Sequence, residues 1–330
     1  MAVSRIPRDI TQIRPDKNPA NDIIACGAGA RGEDARYFGS SPAAWRAGHG
    51  GVPAQGRACL RRIRARQGTG IGCRGQGMDK RIAFAASDTA EAQRARASLE
   101  ARYGAAPVES ADVIVALGGD GFMLQTLHAT QDLPAPVYGM NCGTVGFLMN
   151  EFGEEGLRER LANAQEEVIN PLSMLAETVE GAQHRALAIN EVSLLRAGPQ
   201  TARLRILVDG KLRREDLVCD GALVSTPAGS TAYNYSAHGP ILPIGSDVLA
   251  LTAVAAFRPR RWRGALLPKS AQVRFEVHDP AKRPVMADAD SRAVSNVAWV
   301  EVHSDPKIAH RLLFDPGHGL EERLIREQFA

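Results

Sequence analysis

The sequence predicts an α/β domain with a parallel sheet, followed by a second domain that is mainly β. Between residues 82 and 117, an apolar run, an Ala-, Glu- and Arg-rich run and a second apolar run follow in order, as in a strand, a helix and a strand. Such a unit implies parallel pairing with helices covering the sheet. Beyond about residue 165 the apolar runs become short and β-rich.

The first predicted domain covers residues 78–165, in which strands and helices alternate. Gly104 ends the first helix, because glycine is typical of a helix C-terminus. Loops follow the later strands at the sheet edge where open α/β folds bind ligands. The predicted elements are a strand over 82–86, a helix over 89–102, a strand over 113–117, a helix over 122–128 and a strand over 137–140.

The second predicted domain covers residues 166–304. Asp209-Gly210 lies between two apolar runs and predicts a two-residue hairpin turn. After this domain, apolar residues recur at helical spacing over 319–329. We expect this C-terminal helix to cover another surface, and residues from about 305 to 330 to complete the first domain. The predicted β runs cover 186–196, 204–208, 221–225, 273–278 and 298–303.

Residues 1–77 differ from the rest of the chain in composition. The net charge of the chain is +3, but this leader has 13 basic and 5 acidic residues, so residues 78–330 are acidic on balance. With 13 glycines and no apolar periodicity, the leader is expected to be disordered or not native to the protein. Its two Gly-x-Gly-x-x-Gly matches, at 27–32 and 70–75, lie outside any β–α–β unit and are interpreted as chance. We expect no nucleic-acid partner.

Composition also favours a cytoplasmic protein without a membrane partner. The 330 residues are 44% hydrophobic, yet no uninterrupted apolar run approaches the roughly 20 residues that a membrane-spanning helix needs. The N-terminus lacks the apolar core of a secretory signal. Five cysteines without a Cys-x-x-Cys pair indicate reduced thiols rather than a disulfide framework or a zinc site.

The turn Gly118-Gly119-Asp120-Gly121 lies directly between a predicted strand and a predicted helix. Its glycines let backbone N–H groups approach phosphate oxygens, and the helix N-terminus adds positive potential. A carboxylate among these donors can accept the proton of an attacking hydroxyl. The turn therefore predicts a phosphate-binding loop with Asp120 as the base, and an ordinary Asp-Gly turn is the alternative.

Two shorter motifs lie near strand ends. The glycine-containing segment 141–148 follows the strand at 137–140, and by itself it is more typical of a connection than of a site. Asn190-Glu191 interrupts a strand-like run. An amide beside a carboxylate suits ribose hydroxyls or an adenine edge, and a solvent-exposed strand end is an equal alternative.

The segment from Asp220 to Ser236 carries the densest polar pattern. It combines a carboxylate, four hydroxyl side chains before the first aromatic residue, a Pro-x-Gly turn and Tyr233, which can stack on a base. A helix capped at Ser230 or Thr231 is the alternative, but it does not account for Asp220. A serine hydrolase is not predicted, because alanines replace the glycines on either side of the serine in a nucleophile elbow.

Charged residues late in the chain offer a weaker signal. Arg258-Pro259-Arg260-Arg261-Trp262-Arg263 is a dense basic run, which either lies in solvent or neutralises a donor triphosphate or polyphosphate. Asp288 and Asp290 could lie near phosphates and magnesium, although exposed turn carboxylates are the favoured interpretation.

In order and spacing, these motifs resemble those of the NAD kinase family. Gly-Gly-Asp-Gly alone is shared with diacylglycerol and sphingosine kinases, whereas Ser-Thr-Pro-x-Gly-Ser-Thr-Ala-Tyr at 225–233 is much more specific. The resemblance covers about residues 78–330. It implies a Rossmann-like α/β domain, a β-sandwich-like domain, and a C-terminal helix that returns to the first domain.

The resemblance also implies an activity and residue roles. Asp120, with Gly121 beside it, would be the base for the adenosine 2′-hydroxyl of NAD, giving NADP. The donor would be ATP with Mg²⁺ or another divalent cation, or polyphosphate. Asp220 would face the nicotinamide end, and the protein would be a homo-oligomer, a dimer or tetramer, with a neighbouring subunit often contributing to the site. The implied NAD-binding residues are Asp120, Gly121, Asn190, Glu191, Asp220, Ala228, Thr231, Ala232, Tyr233, Asn234, Tyr235 and Ser236. Further NAD or phosphate contacts would come from Phe147, Arg203, Asp288 and Asp290.

The sequence departs from the family pattern at three positions. The family commonly has Gly at His238, frequently Ser at Asn234, and often Arg or another polar residue at Cys142. These differences affect fine contacts rather than the implied activity. The alternatives to an NAD kinase are a lipid kinase that shares only Gly-Gly-Asp-Gly and a non-catalytic NAD-binding regulatory module.

Overall fold

The computed structural model describes most of the chain from Lys80 onward. The predicted leader, with both Gly-x-Gly-x-x-Gly matches, lies outside the described residues. All described residues belong to one compact unit. The described residues are 80–143, 146–260, 262–317, 319, 322–323 and 325.

Strands and helices alternate along the chain up to Ile169, and strands predominate after it. Strand and helix bounds, in chain order, are β1 (Ile82–Ala86), α1 (Ala90–Tyr103), β2 (Val113–Gly118), α2 (Asp120–Ala129), β3 (Val137–Asn141), α3 (Leu157–Asn163), β4 (Gln165–Ile169), β5 (Leu172–Thr178), β6 (Gln183–Ala188), β7 (Glu191–Arg196), β8 (Ala202–Val208), β9 (Lys211–Cys219), β10 (Gly221–Ser225), α4 (Tyr233–Ser236), β11 (Val248–Val254), β12 (Gly264–Pro268), β13 (Val273–Val277), β14 (Val285–Ala289), β15 (Arg292–Val294), β16 (Val297–Ser304) and β17 (His310–Phe314).

The predicted α/β sheet is confirmed, with one change at its edge. Its strand order is β1-β2-β3-β17-β4. Strands β1, β2, β3 and β17 pair in parallel, whereas β4 pairs antiparallel to β17. Helix α1 packs on one face of this sheet and α2 on the other. The sheet is therefore mixed, with one antiparallel strand at its edge.

Local sequence explains the ends of α1. The Thr89 side chain accepts a hydrogen bond from the backbone N–H of Ala92, which caps the N-terminus, and Gly104 at the C-terminus adopts φ 76°. Glycine tolerates this left-handed φ without steric cost. The predicted helix thus begins and ends within one residue of the observed one.

The β-rich part forms a sandwich of two antiparallel sheets. One sheet has the strand order β12-β11-β10-β7-β14-β15 and the other β6-β5-β16-β13-β8-β9. The largest apolar cluster lies between them, with side chains such as Leu194 and Phe275 fully buried. Asp209 and Gly210 form the predicted hairpin turn with φ 53° and 70°, which suits a type I′ turn.

Two segments near the predicted site differ from the sequence-based expectation. The single β run predicted over 186–196 is broken into β6, in one sheet, and β7, in the other. The break is at Ile189 and Asn190, where the chain crosses between the sheets. Of the predicted C-terminal helix, only Gly319, residues 322–323 and Ile325 are described, and the last three are helical.

None of the helices described from Lys80 onward is long and apolar enough to cross a membrane.

Candidate active site

Asp120 lies at the junction of β2 and α2, as the sequence predicts. It is the first residue of α2, and Gly119 before it is extended. A Cβ at Gly118 would lie 2.9 Å from the Cβ of Phe122, whereas a Cβ at Gly119 or Gly121 would meet nothing within 4 Å. Gly118 thus permits close packing of the turn. The other two leave the helix N-terminus open to a ligand, where backbone N–H groups favour anions.

The Asp120 carboxylate is held by the segment after β3. One oxygen accepts the backbone N–H of Phe147 at 2.6 Å, and the other accepts that of Leu148 at 2.8 Å. A Cβ at Gly146 would collide with Asp120 Oδ1. Because a carboxylate has about four acceptor positions, these two bonds orient it and leave others for a substrate hydroxyl. Phe147 therefore contributes its backbone N–H here.

A C-terminal arginine supports the same segment. The guanidinium of Arg323 donates to the carbonyl oxygens of Gly146 and Phe147 at 3.0 and 3.1 Å. It also lies 5.4 Å from the centre of the Phe314 ring. Arg323 thus packs against the loop that orients Asp120.

Asn190 and Glu191 lie where the chain crosses between the two sandwich sheets. The Asn190 carbonyl accepts the backbone N–H of Thr226 at 2.9 Å. A Cβ at Gly229 would overlap the Asn190 backbone. The Asp220–Ser236 segment therefore packs directly on Asn190, and only glycine fits at position 229.

Glu191 is the most perturbed carboxyl of the candidate site. Burial raises its pKa to about 8, with further contributions from the negative charges of Asp290 and Asp288, while the backbone N–H of Tyr233 opposes the shift. Its Oε2 atom is buried without a hydrogen-bond partner among the described residues. An unpartnered buried oxygen at a strand end suits a ligand hydroxyl.

Asp290 is not the exposed turn carboxylate that the sequence favours. Its side chain is only 2% exposed and lies 3.0 Å from Nε2 of His128. It also accepts the backbone N–H groups of Ile189 and Asn190. With both oxygens bound inside the protein, Asp290 supports the Asn190-Glu191 segment rather than a phosphate.

Asp288 is half-buried beside it. One of its oxygens accepts the backbone N–H of Ser291 at 2.8 Å. Burial, together with the charge of Asp290, raises its pKa. Among the residues from Lys80 onward that the structure describes, no group of three or more His, Cys, Asp or Glu could hold a metal ion.

The polar segment after β10 forms two short helices. Ala228–Thr231 is a 3-10 turn that precedes α4, and no side chain caps either one. The Ser230 hydroxyl instead accepts the backbone N–H of Leu242 at 3.0 Å. The alternative of a helix capped at Ser230 or Thr231 is therefore wrong. Thr231, Ala232 and Tyr233 are half-buried, whereas Tyr235 and Ser236 are exposed.

The side chain of Asn234 has a structural role within this chain. It is fully buried. Its amide nitrogen donates to the carbonyls of Ser230 and Pro240, and its oxygen accepts the Thr252 hydroxyl at 2.6 Å. Because these bonds engage both ends of the amide, Asn234 holds the loop together. Nearby, His238 adopts φ 61°, a left-handed conformation that favours the glycine common in the family.

Asp220 lies at the far end of β10 from Asn190. Asp220 is six positions before Thr226, which is about 20 Å at the usual rise of a strand. Asp220 forms an ion pair of 2.6 Å with Arg196. The pKa of Tyr233 is raised by burial and by the negative charges of Glu191 and Asp220. Tyr233 of α4 thus lies within electrostatic range of both Glu191 and Asp220.

Two basic features lie apart from Asp120 within this chain. Arg203 forms a two-bond ion pair with Asp216 of β9 at 2.7 and 3.0 Å, in the other sandwich sheet, so the expected phosphate contact is not supported. In the basic run, the guanidinium groups of Arg258 and Arg260 pack over the exposed Phe257 ring. Arg261 lies outside the described residues.

Sequence reasoning did not identify His128, Arg196 and Arg323, which hold the candidate residues in place. His128 is an ordinary polar residue in an amphipathic helix, and its partner is 162 positions later. No local pattern encodes such a distant contact.

Comparisons with known proteins agree with these motifs. Models of the ATP-NAD kinase N-terminal and C-terminal domains match residues 73–167 and 189–304. The NAD kinase of Cereibacter sphaeroides is 72% identical over 251 residues, which cover 76% of this chain and 99% of that protein. The NAD kinase of Hyphomonas neptunium is 59% identical, covering 76% of this chain and 98% of that protein.

The fold has a counterpart among solved structures. The crystal structure of an NAD kinase from Archaeoglobus fulgidus in complex with ATP matches with a TM-score of 0.58 and 22% identity, covering 72% of this chain and 94% of that one. At this identity the match bears on the fold alone. The high-identity relatives and the two domain models, matched in chain order, show that this chain belongs to the NAD kinase family.

Proposed function

We propose that the protein transfers the terminal phosphoryl group of ATP to the adenosine 2′-hydroxyl of NAD, giving NADP and ADP. Family membership supports NAD as the acceptor. The observation that carries the reaction is the Asp120 carboxylate, oriented by two backbone N–H groups at an open helix N-terminus.

Asp120 acts as the general base. The 2′-hydroxyl oxygen attacks the γ-phosphorus as Asp120 accepts its proton, and the bond to ADP breaks. The first N–H groups of α2 and the neighbouring glycines stabilise the negative charge of the transferred group. The hydrogen bonds from Phe147 and Leu148 keep the carboxylate aimed at one point.

NAD is held mainly by the β-rich part. The unpartnered Oε2 of Glu191 is expected to bond a ribose hydroxyl, with the Asn190 amide beside it. Ala228, Thr231, Ala232, Tyr233, Tyr235 and Ser236 remain proposed contacts along the dinucleotide. Tyr233 is half-buried beside Glu191 and can stack on a base.

The donor is proposed to approach from the α1 side of the sheet. A cavity of about 620 Å³ opens there between α1 and the end of β3, and Arg94, Ser98 and Asn141 are among its lining residues. Carboxyl ends of parallel strands are the usual ligand edge of such folds. Mg²⁺ or another divalent cation enters with ATP as part of the substrate and offsets phosphate charge. Polyphosphate is the alternative donor.

We further propose a cytoplasmic homo-oligomer. Asp220 lies at the far end of β10 from Asn190, so a dinucleotide that contacts Asp220 could belong to a neighbouring subunit's site. Light scattering of the purified protein, with and without NAD, tests the assembly. A monomer under both conditions would contradict it.

The family comparisons give the lipid kinase alternative no support, and neither it nor a non-catalytic module accounts for all the motifs. A lipid kinase has no use for Asn190-Glu191, and a binding module has none for Asp120. The deciding experiment incubates the protein with NAD, ATP and Mg²⁺, and detects NADP through an NADP-specific dehydrogenase. Polyphosphate replaces ATP in a second arm, and diacylglycerol replaces NAD in a third. Absence of NADP in both donor arms would refute the proposal.

A further inference from the structure

A buried hydrogen-bonded pair, His128 and Asp290, connects the helix of Asp120 to the strand junction of Asn190. His128 lies in the last turn of α2, eight positions after Asp120 and therefore about 12 Å along the helix axis. Its Nε2 atom is 3.0 Å from Oδ2 of Asp290, and the two side chains are 6% and 2% exposed. Each group therefore depends on the other, because a buried polar atom without a partner is costly.

The Asp290 carboxylate in turn holds the backbone of the Asn190 junction. It accepts the N–H groups of Ile189 and Asn190, which lie about 100 positions earlier in the chain. Asp290 and Ser291 form the two-residue turn between β14 and β15, with φ 47° and 74°. This tight turn brings the Asp290 carboxylate to the start of β7, whose first residue is Glu191.

We infer that His128 is a positioning residue for NAD: it orients Asp290, and Asp290 sets the place of Asn190 and Glu191. The inference rests on the proposed function, in which these two residues bind the dinucleotide. Since His128 and Asp120 share α2, the pair also sets the distance between the base and the ribose-binding segment. His128 touches no substrate in this arrangement and acts only through Asp290.

His310 offers a matched control on the same side of α2. Its ring lies 6.0 Å from that of His128, and its side chain is also buried. Burial and the neighbouring His128 lower the pKa of His310 to about 4, so its ring is neutral at neutral pH. Among the described residues it makes no hydrogen bond to Asp290. Replacing it disturbs the same core without breaking the proposed connection.

The test compares the steady-state kinetics of the wild-type full chain with those of three single-substitution variants. His128→Met removes the donor at similar side-chain length, His128→Gln retains a nitrogen donor near the position of Nε2, and His310→Met is the control. We expect His128→Met to raise KM for NAD about tenfold, with KM for ATP within about twofold of wild type. His128→Gln restores KM for NAD to within about threefold, and His310→Met leaves it unchanged.

A merely structural role would give a different result. Equal KM values for NAD in His128→Met and wild type, or equal rises in both KM values, would overturn the inference. If His128→Met does not fold, His128→Asn replaces it, because its shorter amide does not reach Asp290. Adding His128→Met to Asp290→Asn should cause no further rise, since both act through one connection. A wild-type protein that forms no NADP would instead refute the proposed function, and calorimetry of NAD binding would still compare the variants.

Discussion

Asp120 and the Asn190-Glu191 pair are both candidate site residues, but the chain holds them in different ways. Asp120 is oriented by the backbone N–H groups of Phe147 and Leu148, which lie 27 and 28 positions away. Both residues are in the loop that follows β3, the strand next to β2 in the same sheet. Asn190 is held by Asp290, 100 positions away. The base therefore depends on the loop after β3, with support from Arg323, whereas the proposed NAD-binding pair depends on a single carboxylate 100 positions later. Substitutions near the first should act on turnover, and those near the second on NAD affinity.

The largest effect is expected at the base itself. Asp120→Asn keeps the side-chain shape but cannot accept the proton, so kcat should fall about 1,000-fold with NAD binding nearly unchanged. Steady-state assays of NADP formation measure kcat, and calorimetric titration with NAD measures binding. Equal losses of turnover and binding would show that Asp120 positions the substrate instead.

A smaller loss is expected from moving the Asp120 carboxylate. In Gly146→Ala the new methyl group would collide with Asp120 Oδ1, and kcat should fall about 100-fold because misplacement of a reacting group is costly. Gly143→Ala is the control, since a Cβ there meets nothing within 4 Å. Similar kcat values for the two variants would contradict the proposed orientation of the base.

The distant packing at Asn190 predicts the opposite kinetic pattern. In Gly229→Ala the methyl group would overlap the Asn190 backbone, so KM for NAD should rise about tenfold and unfolding should become easier by about 1–3 kcal/mol. Steady-state kinetics and thermal unfolding measure the two changes. A fall in kcat at unchanged KM would remove the distinction between the two regions.

The smallest effect concerns stability against pH. The pKa of Glu191 is raised to about 8 in the fold, so the folded state holds its proton more tightly than the unfolded chain. Its contribution is fully present below the unfolded pKa near 4.5 and is lost as pH rises toward 8. Glu191→Gln should flatten this pH dependence of unfolding. If the free energies of unfolding of variant and wild type changed in parallel from pH 5 to 8, the raised pKa of Glu191 would be contradicted.

Sequence reasoning succeeded where the signal is local. The pattern from β1 to α2 is continuous and periodic, and its predicted bounds are close to those observed. It did not identify β17 as a strand, although residues from about 305 to 330 were expected to complete the first domain, and these five residues join the first sheet from the far end of the chain. It did not predict the buried hydrogen bonds of Asn234, since a polar residue in a polar segment looks the same whether it faces a ligand or fills a buried hydrogen-bond network.

By itself, the sequence determined the α/β and β-rich parts, the Gly-Gly-Asp-Gly turn with its candidate base, and, through motif resemblance, the family. Tertiary structure alone decided that Asp290 is buried against His128, that a buried oxygen of Glu191 has no hydrogen-bond partner among the described residues, and that Asp220 lies apart from Asn190. The physical reason is range. Turns and periodicity depend on neighbouring residues, whereas burial and ion pairing depend on residues that only the completed fold brings together.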